Sequence, residues 1–438
     1  MLTPADLALV RRDRALPGLA TLLDPDAFAA ALAPALAPHL PRTRPVTASS
    51  SYIRYKPGTN CLVSYRLQTP DTQVMVHAKA HGPDAEDKLA KAREKPGTPS
   101  LFGAGRVVLE EEDIVVSFFP NDAKLKSLPR IADTGSRREL LGEILPDSPE
   151  LWDGALQTLR YKPERRYVAR LIDGGRPRVT LKTYTQEGYR AAETNAQAFV
   201  PGGALRLARR LGSCPRHNTV AFEWRQGLSL KTALAEPESA EGAVRTAGAA
   251  LAGLHAQEGR GLEYPGREEE VDALIELHRE MEFICPALSR RMGELVEHLT
   301  LRLSLQPSER RPIHGDFYDE QVLLSGEEAT ILDLDRAALG DPAADLGLFA
   351  AHLERDALRG ELRGDQVEPL KAALLEGYRD AGGQASGSRV SLYTIVGLLK
   401  LSPEPFRRRD TDWPEGIRAI LERARYIARS LSVPAASR

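Results

Sequence analysis

The stretch Ile313-His314-Gly315-Asp316-Phe317-Tyr318-Asp319-Glu320-Gln321 is the part of this 438-residue chain best equipped for chemistry. A carboxylate follows a His-Gly pair, and an amide side chain comes five positions later. Seventeen positions after Asp316 stands a second carboxylate, Asp333, within Thr330-Ile331-Leu332-Asp333-Leu334-Asp335. Val322-Leu323-Leu324 and Ile331-Leu332 flank Ser325-Gly326-Glu327, a pattern that predicts a short hairpin turning there. Folding that hairpin brings Gln321 near Asp333, with Asp316 at the mouth of the loop. Phosphoryl transfer needs such a set. One carboxylate must accept or orient the proton of an attacking hydroxyl, and oxygen ligands must hold magnesium against phosphates whose charge is developing. Magnesium takes carboxylate and amide oxygens and keeps several waters, so one Asp and one amide suffice from the protein.

The elements that must position these groups can be read from periodicity. Residues 1 to about 45 read as one or two short, loosely attached helices. From Ser50 onward alternation predicts strands, including Leu62 to Leu67 and Val74 to Lys79, then a charged helix from Asp84 to Lys95 and a hairpin from Arg106 to Phe119. The same order then returns. Arg54-Tyr55-Lys56-Pro57 recurs as Arg160-Tyr161-Lys162-Pro163, and Val76-His77-Ala78-Lys79 has its counterpart in Val179-Thr180-Leu181-Lys182. Each lysine precedes a charged helical segment, which points to an internal duplication. Beyond Ser239 the periodicity is helical, interrupted only by Ile313 to Leu334. A strand-rich front and a helical rear predict a two-lobed α+β protein with its site in the cleft between lobes.

His314-Gly315-Asp316, four residues, Gln321 and then Ile331-Leu332-Asp333 together resemble the catalytic loop and metal segment of the aminoglycoside phosphotransferase-like kinases. Gly340-Asp341-Pro342-Ala343-Ala344-Asp345-Leu346 is similar to that superfamily's G-D-P-x-x-D-L segment. The resemblance implies a protein-kinase-like fold with ATP and Mg2+ as cofactors. It makes Asp316 the catalytic base, Gln321 and Asp333 the magnesium ligands, and Asp345 a brace for the loop. Gln321 departs from the usual Asn. Bacterial maltokinases and glucosamine kinases also carry Gln there and have an N-terminal cap domain, which tilts the expected acceptor toward a sugar or amino sugar. Asp341 before Pro342 reads as a helix N-cap, a structural role. His314 is expected to support the loop rather than transfer a proton. Asp335 either touches metal or acceptor or faces solvent.

Val179 to Lys182 resembles the strand that carries the nucleotide lysine of kinases. Lys182 then pairs with a helix carboxylate, Glu193 or Glu187, of which Glu193 better fits an amphipathic helix from Gly188 to Phe199. Phe222-Glu223-Trp224-Arg225-Gln226-Gly227 looks like the segment joining the lobes and receiving adenine. The turn Glu164-Arg165-Arg166 either covers the phosphates or faces solvent; it has no G-x-G-x-x-G. The expected domains are a cap built as a duplicated N-lobe at 1–150, a kinase N-lobe at 151–227 and a helical C-lobe at 228–438. Arg407-Arg408-Arg409 and Trp413 are either acceptor contacts or a solvated basic turn.

The formal net charge of −2 gives no strong field for nucleic acid or an anionic membrane. No segment approaches the ~20 apolar residues of a membrane span, and the N-terminus lacks a signal-peptide pattern. Cys61, Cys214 and Cys285 form no CxxC pair and are read as having no His at metal-ligand spacing, so neither a disulfide framework nor a zinc site is expected and a reducing, cytoplasmic location fits. The expected partner is a small-molecule acceptor, and the expected state a monomer or homodimer. The rival readings are an aminoglycoside or choline-type kinase and a non-catalytic nucleotide-binding protein that has kept the fold.

Overall fold

Strand alternation over Thr47–Phe118 closes into a five-stranded antiparallel sheet in this computed structural model, which describes all residues except 39–45, 84, 104, 308 and 433–438. Ahead of it stand α1 (Pro4–Arg12), α2 (Leu19–Leu23) and α3 (Pro25–Leu36). The strands are β1 (Thr47–Lys56), β2 (Asn60–Gln68), β3 (Gln73–His81), β4 (Arg106–Leu109) and β5 (Ile114–Phe118), with α4 (Ala85–Glu94) between β3 and β4. Asp84, where the sequence starts that helix, lies outside the described residues, as does the end of the first segment.

After α5 (Leu128–Ala132) and α6 (Thr134–Ile144) the pattern repeats. The repeat consists of β6 (Ala155–Lys162), β7 (Arg166–Asp173), β8 (Arg176–Tyr184), α7 (Gln186–Gln197), β9 (Leu205–Leu207), β10 (Arg210–Cys214) and β11 (Thr219–Glu223). The first sheet has the order β1-β2-β3-β5-β4 and the second, read from β6, has β6-β7-β8-β11-β10. Only β9 leaves the pattern, joining another sheet. Lys79 and Lys182 each occupy the seventh position of their nine-residue strand. The two five-stranded sheets therefore repeat one another in topology as well as in sequence.

The first segment is not loosely attached. Leu9, Leu19, Leu22, Phe28 and Leu32 are all buried, and the α1 carboxylate Asp6 is fully enclosed. Asp6 accepts hydrogen bonds from Arg409 at 2.7 Å and from the Trp413 indole at 3.1 Å. Arg409 and Trp413 thus anchor the N-terminal helices, which removes them from the acceptor contacts that the sequence left open for them.

The chain divides into two compact units: Met1–Tyr189 with Leu211–Ala221 and Pro405–Pro414, and a second made chiefly of Arg190–Arg210 and Phe222–Glu404. After β11 come β12 (Leu228–Ser229) and α8 (Leu230–Ala233), followed by α9 (Pro237–His255), α10 (Gly266–Ile284) and α11 (Pro286–Ser304). Then come β13 (Arg311–Ile313), β14 (Val322–Ser325), β15 (Glu328–Ile331) and β16 (Ala338–Gly340). The remaining helices are α12 (Pro342–Leu358), α13 (Val367–Asp380), α14 (Gly387–Leu401), α15 (Glu404–Arg407) and α16 (Trp413–Ser432). α12 is buried along almost its whole length, including Leu346, Phe349, Ala350, Ala351 and Leu353, and packs against α14 while α9 packs against α13. A helix enclosed in this way is a rigid support for what its first turn holds. No helix among the described residues is long and apolar enough to cross a membrane.

Candidate active site

β13 pairs with β16 through Arg311↔Gly340 to Ile313↔Ala338, so the start of the loop from His314 to Gln321 lies beside the strand that leads into α12. The first turn of α12 then reaches the loop directly. Asp345, 1 % exposed, accepts the backbone N–H of His314 at 2.6 Å and of Gly315 at 2.8 Å, and is hydrogen-bonded to His255 Nε2 at 2.9 Å. Burial alone would raise its pKa, but the His255 hydrogen bond and the backbone amide of His314 hold it below the usual range. His255 Nδ1 in turn meets the Tyr378 hydroxyl at 2.9 Å. The backbone itself demands glycine at 315. Its φ is +76°, and a Cβ there would stand 2.3 Å from the Arg336 carbonyl oxygen.

His314 is fully buried and works as a strut. Its Nδ1 accepts the Asp316 N–H at 3.2 Å, so Nε2 carries the proton and donates to the Leu332 carbonyl at 2.7 Å. One ring thereby ties the backbone of Asp316 to the residue preceding Asp333. Asp316 itself is 37 % exposed, with the Arg336 guanidinium 3.9 Å from its Oδ1.

The hairpin turns at Gly326-Glu327, its register running from Val322↔Ile331 to Ser325↔Glu328. One further bond, from Leu332 N–H to the Gln321 carbonyl at 2.8 Å, extends the pairing past the strand ends and sets Gln321 beside the Leu332-Asp333 step. Asp333 has φ 62° and ψ 57°, a left-handed conformation uncommon outside glycine. The turn after it is clamped by Asn195, whose Nδ2 donates to the carbonyls of Leu334 and Ala337, both at 3.0 Å. Strained backbone held by its surroundings is a mark of functional sites. Asp341 caps α12 through its Oδ1, accepting the Ala343 N–H at 3.0 Å, and pairs with Arg389 at 2.6 Å, which makes it structural.

Asp319, 3 % exposed within the same loop, has no hydrogen-bond partner on either carboxylate oxygen among the described residues. Burial, followed by the neighbouring Asp356 charge, pushes its pKa up to about 6, against the opposing pull of Lys231.

Lys182, the lysine expected to meet the nucleotide, stands in β8 opposite Val168, within the first unit. Glu193 belongs to the second unit, where it pairs with Arg210 at 2.9 Å. Glu223 ends β11 and gathers two cations, Arg225 at 3.2 Å and Arg209 at 3.8 Å; Trp224 lies between Glu223 and Arg225 in the chain. The turn between β6 and β7 faces neither solvent nor open space at Glu164, which is 6 % exposed with φ +57°. Its carboxylate pairs with Lys79 at 2.9 Å and with Arg54, and its N–H donates to Asp122 at 2.8 Å.

The profile of the APH phosphotransferase enzyme family matches residues 151–384. The chain belongs to this family. It is a small-molecule phosphotransferase whose acceptor is a hydroxyl. Among solved structures, a choline/ethanolamine kinase family protein from Mesorhizobium loti is 18 % identical, with 69 % of this chain and 95 % of that chain covered and a TM-score of 0.45. For the choline kinase LicA from Streptococcus pneumoniae these values are 16 %, 67 %, 97 % and 0.46. For a thermostable mutant of the aminoglycoside phosphotransferase APH(4)-Ia they are 17 %, 64 %, 96 % and 0.48. No curated protein matches the sequence.

Sequence reasoning passed over His255, Tyr378, Asn195 and Arg336. His255 ends a predicted helix, and nothing local marks it as the partner of a carboxylate 90 positions later. Arg336 carried a weak signal, following directly on Leu334-Asp335.

Proposed function

We propose that this phosphotransferase moves the terminal phosphoryl group of ATP to a hydroxyl of a sugar or amino sugar. Asp316 orients the acceptor hydroxyl and takes its proton. The carbonyl oxygen of the Gln321 amide and the Asp333 carboxylate are the magnesium ligands, both hard oxygen donors of the kind this ion takes. When bound, magnesium offsets the charge on the phosphates. The observation that carries the reading is the single frame linking these residues. Asp345 holds the loop backbone, His314 ties Asp316 to Leu332, and Leu332 bonds Gln321. Preorganisation of this kind is what phosphoryl transfer asks of a protein.

Lys182 takes the nucleotide phosphates, with Glu193 as its helix carboxylate, and Glu223, Trp224 and Arg225 border the adenine. The three-part division at 1–150, 151–227 and 228–438 and a cytoplasmic location belong to the same reading. Gln321, in place of the commoner Asn, is what favours a sugar over an aminoglycoside or choline.

The test is ADP release by the purified chain with magnesium-ATP across sugars, amino sugars, aminoglycosides and choline, beside an Asp316→Asn control. The expected result is release dependent on a sugar or amino sugar, reduced at least ~10²-fold in the control with ATP affinity retained. Release with choline or an aminoglycoside alone would overturn the acceptor. Near-normal turnover by the control would overturn the role of Asp316.

A further inference from the structure

Outside the phosphotransfer loop, the first unit gathers three side chains of metal-ligating type that the proposed reaction does not use. Gly212 makes their meeting possible: a Cβ there would lie 1.9 Å from the Ile144 carbonyl oxygen, so β10 runs hard against the C-terminal end of α6. This close approach sets Cys214, at the end of β10, opposite Glu143 in the last turn of α6. The Cys214 Sγ lies 3.2 Å from Glu143 Oε2. The turn Pro215–His217 then curls back and delivers His217 to the same spot. One ligand atom from each of Glu143, Cys214 and His217 lies within 4.8 Å of the other two.

We infer that Glu143, Cys214 and His217 form a binding site for one zinc ion, clasping α6 to the β10–β11 turn.

Three observations carry this assignment. The donor set is a thiolate, an imidazole and a carboxylate, which selects a borderline-soft divalent ion over magnesium or calcium. Zinc bonds of about 2.0–2.3 Å in a tetrahedron put neighbouring ligand atoms roughly 3.5 Å apart, a spacing these side chains meet with rotamer-scale adjustment. His217 Nε2 is shielded from solvent and has no hydrogen-bond partner among the described residues, an unmet need that a metal bond satisfies.

Cys214 is 6 % exposed, so the sulfur side of the site is enclosed, while Glu143 opens to solvent and provides the route of entry. Arg130 is the opposing charge. It sits 3.6 Å from Glu143 Oε1, leaving Oε2 facing the sulfur, and is held at 2.8 Å by Glu139. On binding, the Cys214 S–H bond breaks, the sulfur keeps the electron pair for the metal, and the proton leaves to solvent.

The spacing Cys214-Pro215-Arg216-His217 was visible in the chain. Counting cysteine pairs passed over it because two of the three ligands are not cysteine and one of these, Glu143, is 71 residues from Cys214.

The experiment is a Co2+ titration of the full-length chain, stripped with chelator, followed by absorbance. The expected result is one equivalent of cobalt with a thiolate-to-cobalt charge-transfer band, displaced by one equivalent of Zn2+. Cobalt on Gln321 and Asp333 would have only oxygen ligands and could not produce that band. Cys214→Ser should remove it, and His217→Gln, a change that leaves the buried sulfur in place, should weaken apparent affinity at least about tenfold. Absence of the band in the unmodified protein overturns the site, and so does an H217Q protein that binds cobalt as tightly as the parent.

Discussion

Lys79 donates to both carboxylate oxygens of Glu164, at 2.9 and 3.0 Å, from the strand position that Lys182 occupies in the second repeat. The lysine of the first repeat thus grips the β6–β7 turn of the second. Arg54 joins on the same carboxylate, and Asp122 accepts both the Glu164 N–H and the Tyr161 hydroxyl at 2.8 Å. Four charged side chains thus lock one turn to the preceding repeat.

Glu164→Gln should destabilise the protein by about 1–3 kcal/mol, because two largely enclosed cations lose their counter-charge. The pH dependence has a definite sign. Burial would raise the Glu164 pKa, but Lys79 and Arg54, with His77, pull it below the ordinary value. Its stabilising contribution is therefore present above the unfolded pKa of about 4.3 and is lost as pH falls through the lower folded value. Urea unfolding should separate the two proteins at pH 7 and bring them together in strong acid. A separation that persists unchanged at acid pH would show that the charge is not the cause.

Asp319 behaves in the opposite sense. Its folded pKa of about 6 lies above the ordinary carboxylate value, so the folded state is favoured at low pH and loses that advantage as pH rises through 6. Asp319→Asn should therefore be more stable than the parent at pH 7.5, by roughly 2–3 kcal/mol, with the gain vanishing near pH 4. Thermal melts of both proteins across that range check it; equal melting at pH 7.5 would rule the effect out.

Removing Asp345 should damage the loop rather than the chemistry directly. Asp345→Ala strands two backbone N–H groups and His255, and should cost about 3–5 kcal/mol. Asp345→Asn keeps an acceptor but loses the charge, and should cost about 2 kcal/mol. Turnover should fall in both in that order, with hydrogen exchange rising at His314 and Gly315. Unchanged exchange at these amides would refute the bracing role.

Gln321→Ala should raise the magnesium concentration for half-maximal activity by about tenfold or more, with thermal stability changed little. Gln321→Asn, which keeps the amide oxygen one methylene shorter, should restore part of that loss. A magnesium dependence identical in Gln321→Ala and the parent would remove Gln321 from the metal site.

Local pattern alone determined a good deal about this protein. Alternation in β1–β3 and β6–β8, the repeated Arg-Tyr-Lys-Pro, the helical rear and the hairpin at Gly326 were all legible, because each depends on residues a few positions apart. So was the cluster from His314 to Asp345, whose residue types and spacings are themselves the signal. The tertiary structure decided what those groups lean on. His255 and Asp345, Lys79 and Glu164, Asp6 and Trp413, and Glu143 and Cys214 are pairs separated by 71 to 407 residues. No local propensity encodes such pairs. Each exists because helices and strands packed elsewhere bring two polar groups out of water together, where each must find a partner.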